Sequence, residues 1–542
     1  MLTTMMDFPL SIPMILQHGL RIHAESQIGT FNGESYEFSS FADVGNRVHR
    51  LASALKQLGI CNGARVATYC WNHQQHLEAY LAVPSMGAVL HTLNVRLFPE
   101  QVIGIMNHAA DDVLIIDGAL LAQMTTVLPQ VNSLRHVIVV GSTAARMTSE
   151  TIQFHDYEGL LRNAPSSFDW PEIIERDAAV VCYTSGTTGA PKGVVYSHRS
   201  VFLHTLATLG KDTFGICQSD RVLLLPSMFH ANAWGLPFSA WLSGADLLLP
   251  GPHLKATDIR AAIEQQRPTF TALVPTLIND LLIADRAAPI DMTSFRVLVS
   301  GGSAVSPVLI RKVREQWGVP VLQGWGMTET SPMCCLSIPP RSVSADEEAD
   351  WRAKSGRPVP GMQVRIVNAQ NAPLPNDGAT IGDLQLRGPW VTGSYHDNPA
   401  SDSFSADGWL RTGDVGTIDP RGYVQITDRT KDVIKSGGEW VSSVELENKI
   451  AGCPGVIEVG VIGIPDPRWE ERPLVFLVCD TQQPAASPQT IRDYLAPLVA
   501  RFALPENFTF VTALPKTSVG KVDKVALRQL FASGKVEVVK AK

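Results

Sequence analysis

Ten residues, Thr184-Ser185-Gly186-Thr187-Thr188-Gly189-Ala190-Pro191-Lys192-Gly193, separate two short apolar runs, Ala178 to Tyr183 and Val194 to Tyr196. The flanking runs are rich in β-branched residues and read as strands. The segment between them carries three glycines, four hydroxyls and one lysine. Glycines let a backbone turn tightly and aim successive N–H groups at one anion, and the hydroxyls add neutral donors for phosphate oxygens. The chain is therefore constrained to a strand, a loop suited to polyphosphate, and a second strand. The segment does not match G-x-x-x-x-G-K-[ST], and a strand rather than a helix follows it, which disfavours a P-loop NTPase.

The surroundings argue for an α/β protein. Val44, Val48, Leu51, Leu55 and Leu58 recur at helical spacing before Gly59, and a strand from Arg65 to Cys70 follows. The alternation repeats from Leu77 to Leu93, and Arg296 to Ser300 is an apolar run ending at Gly301 and Gly302 before a helical pattern. From about residue 361 to 428 short alternating runs, Gln363 to Val367, Asp383 to Leu386 and Tyr423 to Ile426, predict a small β-rich subdomain. After it the α/β pattern returns, with runs at Val456 to Ile464 and Leu474 to Val478. The polar stretches Ser342 to Asp350 and Thr481 to Gln489 read as solvated loops.

At 542 residues with 45% hydrophobic content the chain can bury several cores, and its composition excludes disordered, collagen-like and disulfide-scaffold classes. A net charge of −7 gives no general pull toward nucleic acid. The eight cysteines include one adjacent pair, Cys334 and Cys335, and no C-x-x-C. Reduced thiols and a cytoplasmic setting follow. No Lys or Arg stands in the first 20 residues, so no signal peptide is predicted. The uncharged stretch Val222 to Ala245 is interrupted by Pro226, His230, Asn232, Gly235 and Pro237, which suits a buried pocket-forming segment and no integral membrane span. His73 and His76 stand at i and i+3 without a carboxylate cluster in the sequence and read as structural histidines.

Further motifs stand downstream of the glycine-rich loop: Gly301-Gly302-Ser303, Gly324-Trp325-Gly326-Met327-Thr328-Glu329, Arg411-Thr412-Gly413-Asp414, Asp428-Arg429-Thr430-Lys431-Asp432, Lys435-Ser436-Gly437-Gly438-Glu439, and Pro515-Lys516-Thr517-Ser518-Val519-Gly520-Lys521. In this order the set resembles the AMP-forming, adenylate-forming ligase superfamily over nearly the whole chain. Within it, Trp71-Asn72, His76-Leu77-Glu78, Cys182-Tyr183, Tyr196 to Ser200, Phe229 to Gly235 and Lys435 to Trp440 resemble medium-chain fatty acyl-CoA ligases and 3-methylmercaptopropionate-CoA ligases.

The resemblance implies a two-step reaction: ATP and an acid give acyl-AMP and pyrophosphate, then a thiol takes the acyl group. It assigns Thr184, Ser185, Gly186, Thr187, Thr188, Gly189, Lys192, Gly302, Ser303, Gly324, Trp325, Gly326, Met327 and Thr328 to ATP or AMP. Asp414 would accept hydrogen bonds from the ribose diol, with Arg429 assisting. Glu329 and Thr188 would hold Mg²⁺, and Lys521 would be the adenylation lysine, with Thr328, Glu329 and Lys435 also catalytic. Trp325, where many members carry Tyr, would stack on adenine or border the acyl tunnel. Lys431 would be the hinge, and Lys435, Gly437, Gly438, Glu439 and Trp440 would face CoA. His230, Trp234, Gly235, Gly301 and Pro332 would line the acyl pocket, with glycine at 301 leaving space for a chain and Trp234 supplying an apolar wall. Phe229-His230-Ala231 replaces the aspartate usual in amino-acid-activating members, which implies a neutral acyl tail.

The expected protein is an α/β enzyme with two layered α/β subdomains and the small β-rich one in residues 1–430, and a small mobile α+β C-terminal domain in 431–542. Its expected substrates are ATP, CoA and a short- to medium-chain aliphatic acid, and a homodimer is compatible with the family. The rival readings are an aryl-CoA ligase, a ligase loading a carrier-protein phosphopantetheine, and a non-catalytic acyl- or nucleotide-binding homologue. No G-x-S-x-G elbow and no H-E-x-x-H occur.

Overall fold

The computed structural model describes residues 3–141, 149–184, 191–398, 402–429, 431–436, 439–480, 486–517 and 521–541. A seven-stranded sheet runs in the order Gln153–Asp156, His136–Val140, Val113–Asp117, Arg65–Tyr69, Val89–Thr92, Ala178–Tyr183, Gly193–Ser197. Its pairs are parallel except the last, where Ala178–Tyr183 and Gly193–Ser197 are antiparallel. Every residue of Val89–Thr92 and Val113–Asp117 is buried, as expected for parallel strands covered on both faces. The helix Phe41–Gln57 starts at a Ser40–Asp43 capping box and ends two residues before Gly59, whose φ is 84°.

A second sheet has nine strands, in the order Arg357–Pro358, Met333–Leu336, Val321–Gly326, Val297–Ser300, Phe270–Leu273, Arg221–Leu223, Asp246–Leu249, Gln27–Phe31, Tyr36–Ser40. Its central strands are parallel. Helices between the two sheets fill one shared core, in which Trp241 stacks on Phe41 at 4.2 Å between ring centroids. Burying side chains of this size contributes about 2–3 kcal/mol each. The loops leaving the carboxyl ends of the parallel strands carry Gly301, Gly302 and Thr328, and open α/β sheets bind ligands at that edge.

Four antiparallel strands, Gln363–Val367, Gly382–Arg387, Leu410–Ile418 and Val424–Arg429, form the third sheet. The fourth sheet lies after it, centred on Glu470–Cys479, with Val456–Asp466 beside it and helices Ser443–Ile450, Pro488–Leu495 and Lys524–Ala532 packed against it. The sheets, helices and chain order match the α/β expectation.

Two predicted loops are corrected in part. The Ser342–Asp350 stretch runs into a helix, Glu348–Arg352, because Glu348 pairs with both Arg314 and Arg352. Within Thr481–Gln489, residues 481–485 lie outside the described residues, and Ser487 caps a helix that begins at Pro488. Among the described residues no helix is long and apolar enough to cross a membrane. The Val222–Ala245 stretch instead contains the end of a strand, a turn and the helix Leu236–Ser243.

Candidate active site

The base of the glycine-rich loop is closed by two hydrogen bonds. Thr184 N–H donates to the Lys192 carbonyl at 2.9 Å, and Lys192 N–H donates to Thr184 Oγ1 at 3.2 Å. Ser185, Gly186, Thr187, Thr188 and Gly189 lie outside the described residues. The strand that leaves the loop is tied to the second sheet, since the Tyr196 hydroxyl donates to the Thr328 carbonyl at 2.6 Å. His396 N–H donates to the Gly193 carbonyl at 2.8 Å, and Thr392 N–H to the Glu329 carbonyl at 2.8 Å. The Tyr395 hydroxyl donates to Glu329 Oε1 at 2.7 Å, and Lys192 Nζ lies 4.7 Å from the Tyr395 ring centroid. These contacts gather Lys192, Thr328 and Glu329 at the mouth of the loop. Thr328 and Glu329 are both buried.

A second cluster faces them. Asp414 and Arg429 are direct partners across antiparallel strands, with Arg429 Nε 2.9 Å from Asp414 Oδ1. Burial pushes the Asp414 carboxyl up, while Arg429, Lys521 and a hydrogen bond to the Trp325 side chain pull it down. The indole of Trp325 is thus engaged with the Asp414 carboxylate. Lys521 reaches this cluster from a loop that precedes the C-terminal helix Lys524–Ala532. Its Cε lies 3.3 Å from where a Cβ on Gly302 would stand, and Gly302 has φ 84°, a conformation that other residues rarely adopt. Burial first, then Arg429, lowers the Lys521 ammonium to about 8 against the opposing pull of Asp414. Ser303 is exposed beside Gly302.

The expected acyl-pocket residues also meet. A Cβ on Gly301 would lie 2.9 Å from Trp234 Cη2 and 3.2 Å from the Gly324 carbonyl oxygen. The space left by Gly301 is therefore occupied by the edge of the Trp234 indole, which corrects the expectation that it stands open for a chain. Ala231, Asn232, Ala233, Trp234 and Gly235 all have positive φ, from 38° to 78°. Four of the five are not glycine, so this turn stores backbone strain beside the pocket. Asn232 anchors it by accepting from Cys182 Sγ at 3.0 Å. His230 enters the turn, and burial, then Lys521 and Arg96, lower its imidazole to about 4, which leaves it neutral at pH 7. The Pro332 carbonyl accepts from Met327 N–H at 3.1 Å.

On the C-terminal side, Lys435 is exposed on the strand Ile434–Ser436, and its N–H donates to Glu471 Oε2 at 2.9 Å. Gly437 and Gly438 lie outside the described residues, as do the side chains of Glu439 and Trp440. Lys431 is exposed next to Asp432, which pairs with Arg528 at 2.7 Å. Asp428 Oδ2 accepts from Ser443 N–H at 2.6 Å, so contacts hold both sides of the expected hinge.

Two features were not legible from the motifs. Tyr395 organises Glu329 but carries no motif signal, and Tyr196, whose segment carries the family likeness, was given no role there although it holds the Thr328 carbonyl. His73 and His76, read as structural histidines without a carboxylate cluster, are buried and have a single carboxylate beside them: His73 Nε2 lies 2.6 Å from Asp117 Oδ1, and Cys70 is the third member of that group. His73 Nδ1 accepts from His76 N–H and Asp117 Oδ2 from Trp71 N–H, so these atoms brace a helix start.

The chain matches the AMP-binding enzyme family over residues 23–396 and the AMP-binding enzyme C-terminal domain over residues 445–521. It is 39% identical over 540 residues to the 3-methylmercaptopropionyl-CoA ligase of Ruegeria pomeroyi, covering 98% of this chain and 99% of that one. It is 40% identical to the long-chain-fatty-acid–CoA ligase of Thermus thermophilus, covering 98% and 97%, and 37% identical to the medium-chain-fatty-acid–CoA ligase of Ectopseudomonas oleovorans, covering 98% of each. The crystal structure of the anthranilate CoA ligase AuaEII with anthranoyl-AMP superimposes with a TM-score of 0.88 at 27% identity, over 98% of this chain and 99% of that one. With its site residues drawn from both matched domains, the chain belongs to the AMP-binding enzyme family.

Proposed function

We propose that the protein joins a short- to medium-chain aliphatic acid to CoA through an acyl-adenylate. It is an AMP-forming carboxylate–CoA ligase, with ATP, CoA and a small carboxylic acid as its substrates. The observation that carries the reading is the position of Lys521, which a C-terminal loop brings to Gly302 and the Asp414–Arg429 pair. A carboxylate cannot lose its own oxygen readily, so activation must come first. One carboxylate oxygen attacks the α-phosphorus of ATP, the bond to pyrophosphate breaks, and acyl-AMP forms.

In this reading Asp414 takes the ribose hydroxyls, Thr328 donates to the α-phosphate, and the Lys521 ammonium bridges acid and α-phosphate as charge develops. Glu329, a buried oxygen donor held by Tyr395, fits a Mg²⁺ ligand, and we assign Thr188 to the same ion. When bound, that ion neutralises phosphate charge. The thiol then displaces AMP. For this step we assign the hinge to Lys431, at a boundary between residues 430 and 431, and the CoA-facing surface to Lys435 to Trp440.

The aliphatic preference rests on Trp234 and Pro332 as apolar walls and on a His230 that is neutral. The relatives named above act on 3-methylmercaptopropionate and on medium- and long-chain fatty acids. We place the reaction in the cytoplasm, where the eight free cysteines stay reduced. The test is pyrophosphate exchange driven by hexanoate, followed by mass detection of hexanoyl-CoA on adding CoA. Both signals are expected. Exchange without thioester points to a carrier-protein acceptor, and ATP binding without exchange for any acid overturns the catalytic reading.

A further inference from the structure

Asp428 stands on the strand Val424–Arg429, next to the Arg429 that pairs with Asp414. It is buried, as is Ser443, the first residue of the helix Ser443–Ile450. Asp428 Oδ2 accepts from Ser443 N–H at 2.6 Å and from the Ser443 hydroxyl at 2.5 Å. A carboxylate of the third sheet therefore sits at the positive end of a helix that packs on the fourth. The Ser442 hydroxyl adds a hydrogen bond to the Thr427 carbonyl on the same strand. The Ser443 hydroxyl in turn accepts from Lys524 Nζ, which also pairs with Glu447 at 3.0 Å.

Lys524 opens the helix Lys524–Ala532 three residues after Lys521. The loop that carries Lys521 is closed at its base, where Thr517 N–H donates to the Lys521 carbonyl at 2.7 Å and Asp523 N–H to the Pro515 carbonyl at 2.8 Å. Asp523 Oδ1 caps the helix by accepting from Val525 N–H and Ala526 N–H, each at 3.0 Å. The loop is thus fixed to the first turn of that helix, and Ser443 ties the turn to Asp428. A lysine ammonium rides on a flexible four-carbon stem, so holding it at one point is costly in entropy unless the backbone beneath it is fixed. The contacts from Lys524 through Ser443 to Asp428 do this from the strand that also carries Arg429. The ammonium and the cluster it serves share one anchor.

We propose that Asp428, Ser443 and Lys524 are positioning residues for adenylation, a buried tether that holds the Lys521 loop at the Asp414–Arg429 cluster. The proposal rests on the reading that Lys521 serves the first step. It is tested with the full-length enzyme by comparing wild type with Asp428→Asn, which removes the anchoring charge, Lys524→Met, which removes the cation, and Lys524→Arg, which keeps it. ATP–pyrophosphate exchange with hexanoate reports the first step, and thioester formation from supplied hexanoyl-AMP and CoA reports the second. Asp428→Asn and Lys524→Met are each expected to lower exchange about five- to tenfold, the loss of one charge-assisted hydrogen bond, with the second step within twofold of wild type. Lys524→Arg should recover part of the loss, and the Asp428→Asn/Lys524→Met double variant should be little worse than either single one. Ser443→Ala, which removes only the bridging hydroxyl, should lower exchange about two- to fivefold and serves if the charge variants fail to fold. Unchanged exchange in folded variants, or equal loss in both steps, would overturn the proposal and leave the three residues as a brace. Full exchange in Lys521→Ala would instead overturn the reading beneath it, and the proposal with it.

Discussion

Lys521 Cε stands 3.3 Å from the point where a Cβ on Gly302 would lie, although the two residues lie in separate loops far apart in sequence. Gly302 also has φ 84°. Gly302→Ala therefore strains the backbone and pushes the lysine back by a few tenths of an ångström. Adenylation should fall about tenfold or more, because misplacement of this order at a reacting centre is expensive. Thioester formation from supplied acyl-AMP should be spared. Equal loss of both half-reactions would contradict this placement.

Removing the ammonium should be more severe. Lys521→Ala should lower pyrophosphate exchange by about two to three orders of magnitude, while thioester formation from supplied acyl-AMP persists. Single-turnover assays of the two steps separate these outcomes, and equal loss in both would remove Lys521 from the role.

The lowered Lys521 value also predicts a pH profile. With the group titrating at about 8 rather than at its ordinary 10.5, the cation is present below about 8 and lost as pH rises through it. In the free enzyme kcat/KM for adenylation should decline above about pH 8, and Lys521→Arg should move that decline upward. A flat profile to pH 9.5 would argue against a charged lysine. The stability linkage has the opposite sense: between about 8 and 10.5 the unfolded chain holds the proton that the folded one releases, so this lysine adds stability as pH rises across that window.

Trp234 and Gly301 should control the acid. Trp234→Ala should change the ratio of kcat/KM between butyrate and octanoate about tenfold, with the KM for ATP held within a factor of two. Gly301→Ala, whose methyl would stand 2.9 Å from Trp234 Cη2, should depress the longer acids most. An unchanged acid profile in both variants would remove them from the pocket.

Much of the fold was legible because apolar periodicity and turn residues agreed. The run Gln363 to Val367 is a strand with those bounds, and Arg65 to Cys70 differs from the observed strand by one residue. The site was legible where chemistry needs residues that are contiguous in sequence, as with Thr328 and Glu329. It was not legible where contacts cross elements. Nothing local marks Tyr395 as the donor to Glu329, and a histidine inside an apolar strand, as at His91, signals only a buried polar group. Gly301 was read as open space because the left-handed turn that drives Trp234 against it has four non-glycine residues, which sequence rules do not expect at positive φ.

The His73–Asp117 contact predicts a stability effect apart from catalysis. Asp117→Ala should lower unfolding free energy by about 1–3 kcal/mol, since it leaves the His73 ring and Trp71 N–H without their partner. Denaturant midpoints check this, with hexanoyl-CoA formation retained at low temperature. An unchanged midpoint would show that the brace carries no weight.

The central claim is tested most directly by following pyrophosphate release and acyl-CoA formation together across saturated acids from two to twelve carbons, with 3-methylthiopropionate, benzoate and phenylacetate in the same panel. The account predicts CoA-dependent turnover with its maximum among the aliphatic acids. A maximum among the aromatic acids would contradict the pocket while keeping the chemistry, and pyrophosphate release without any thioester would contradict the ligase itself.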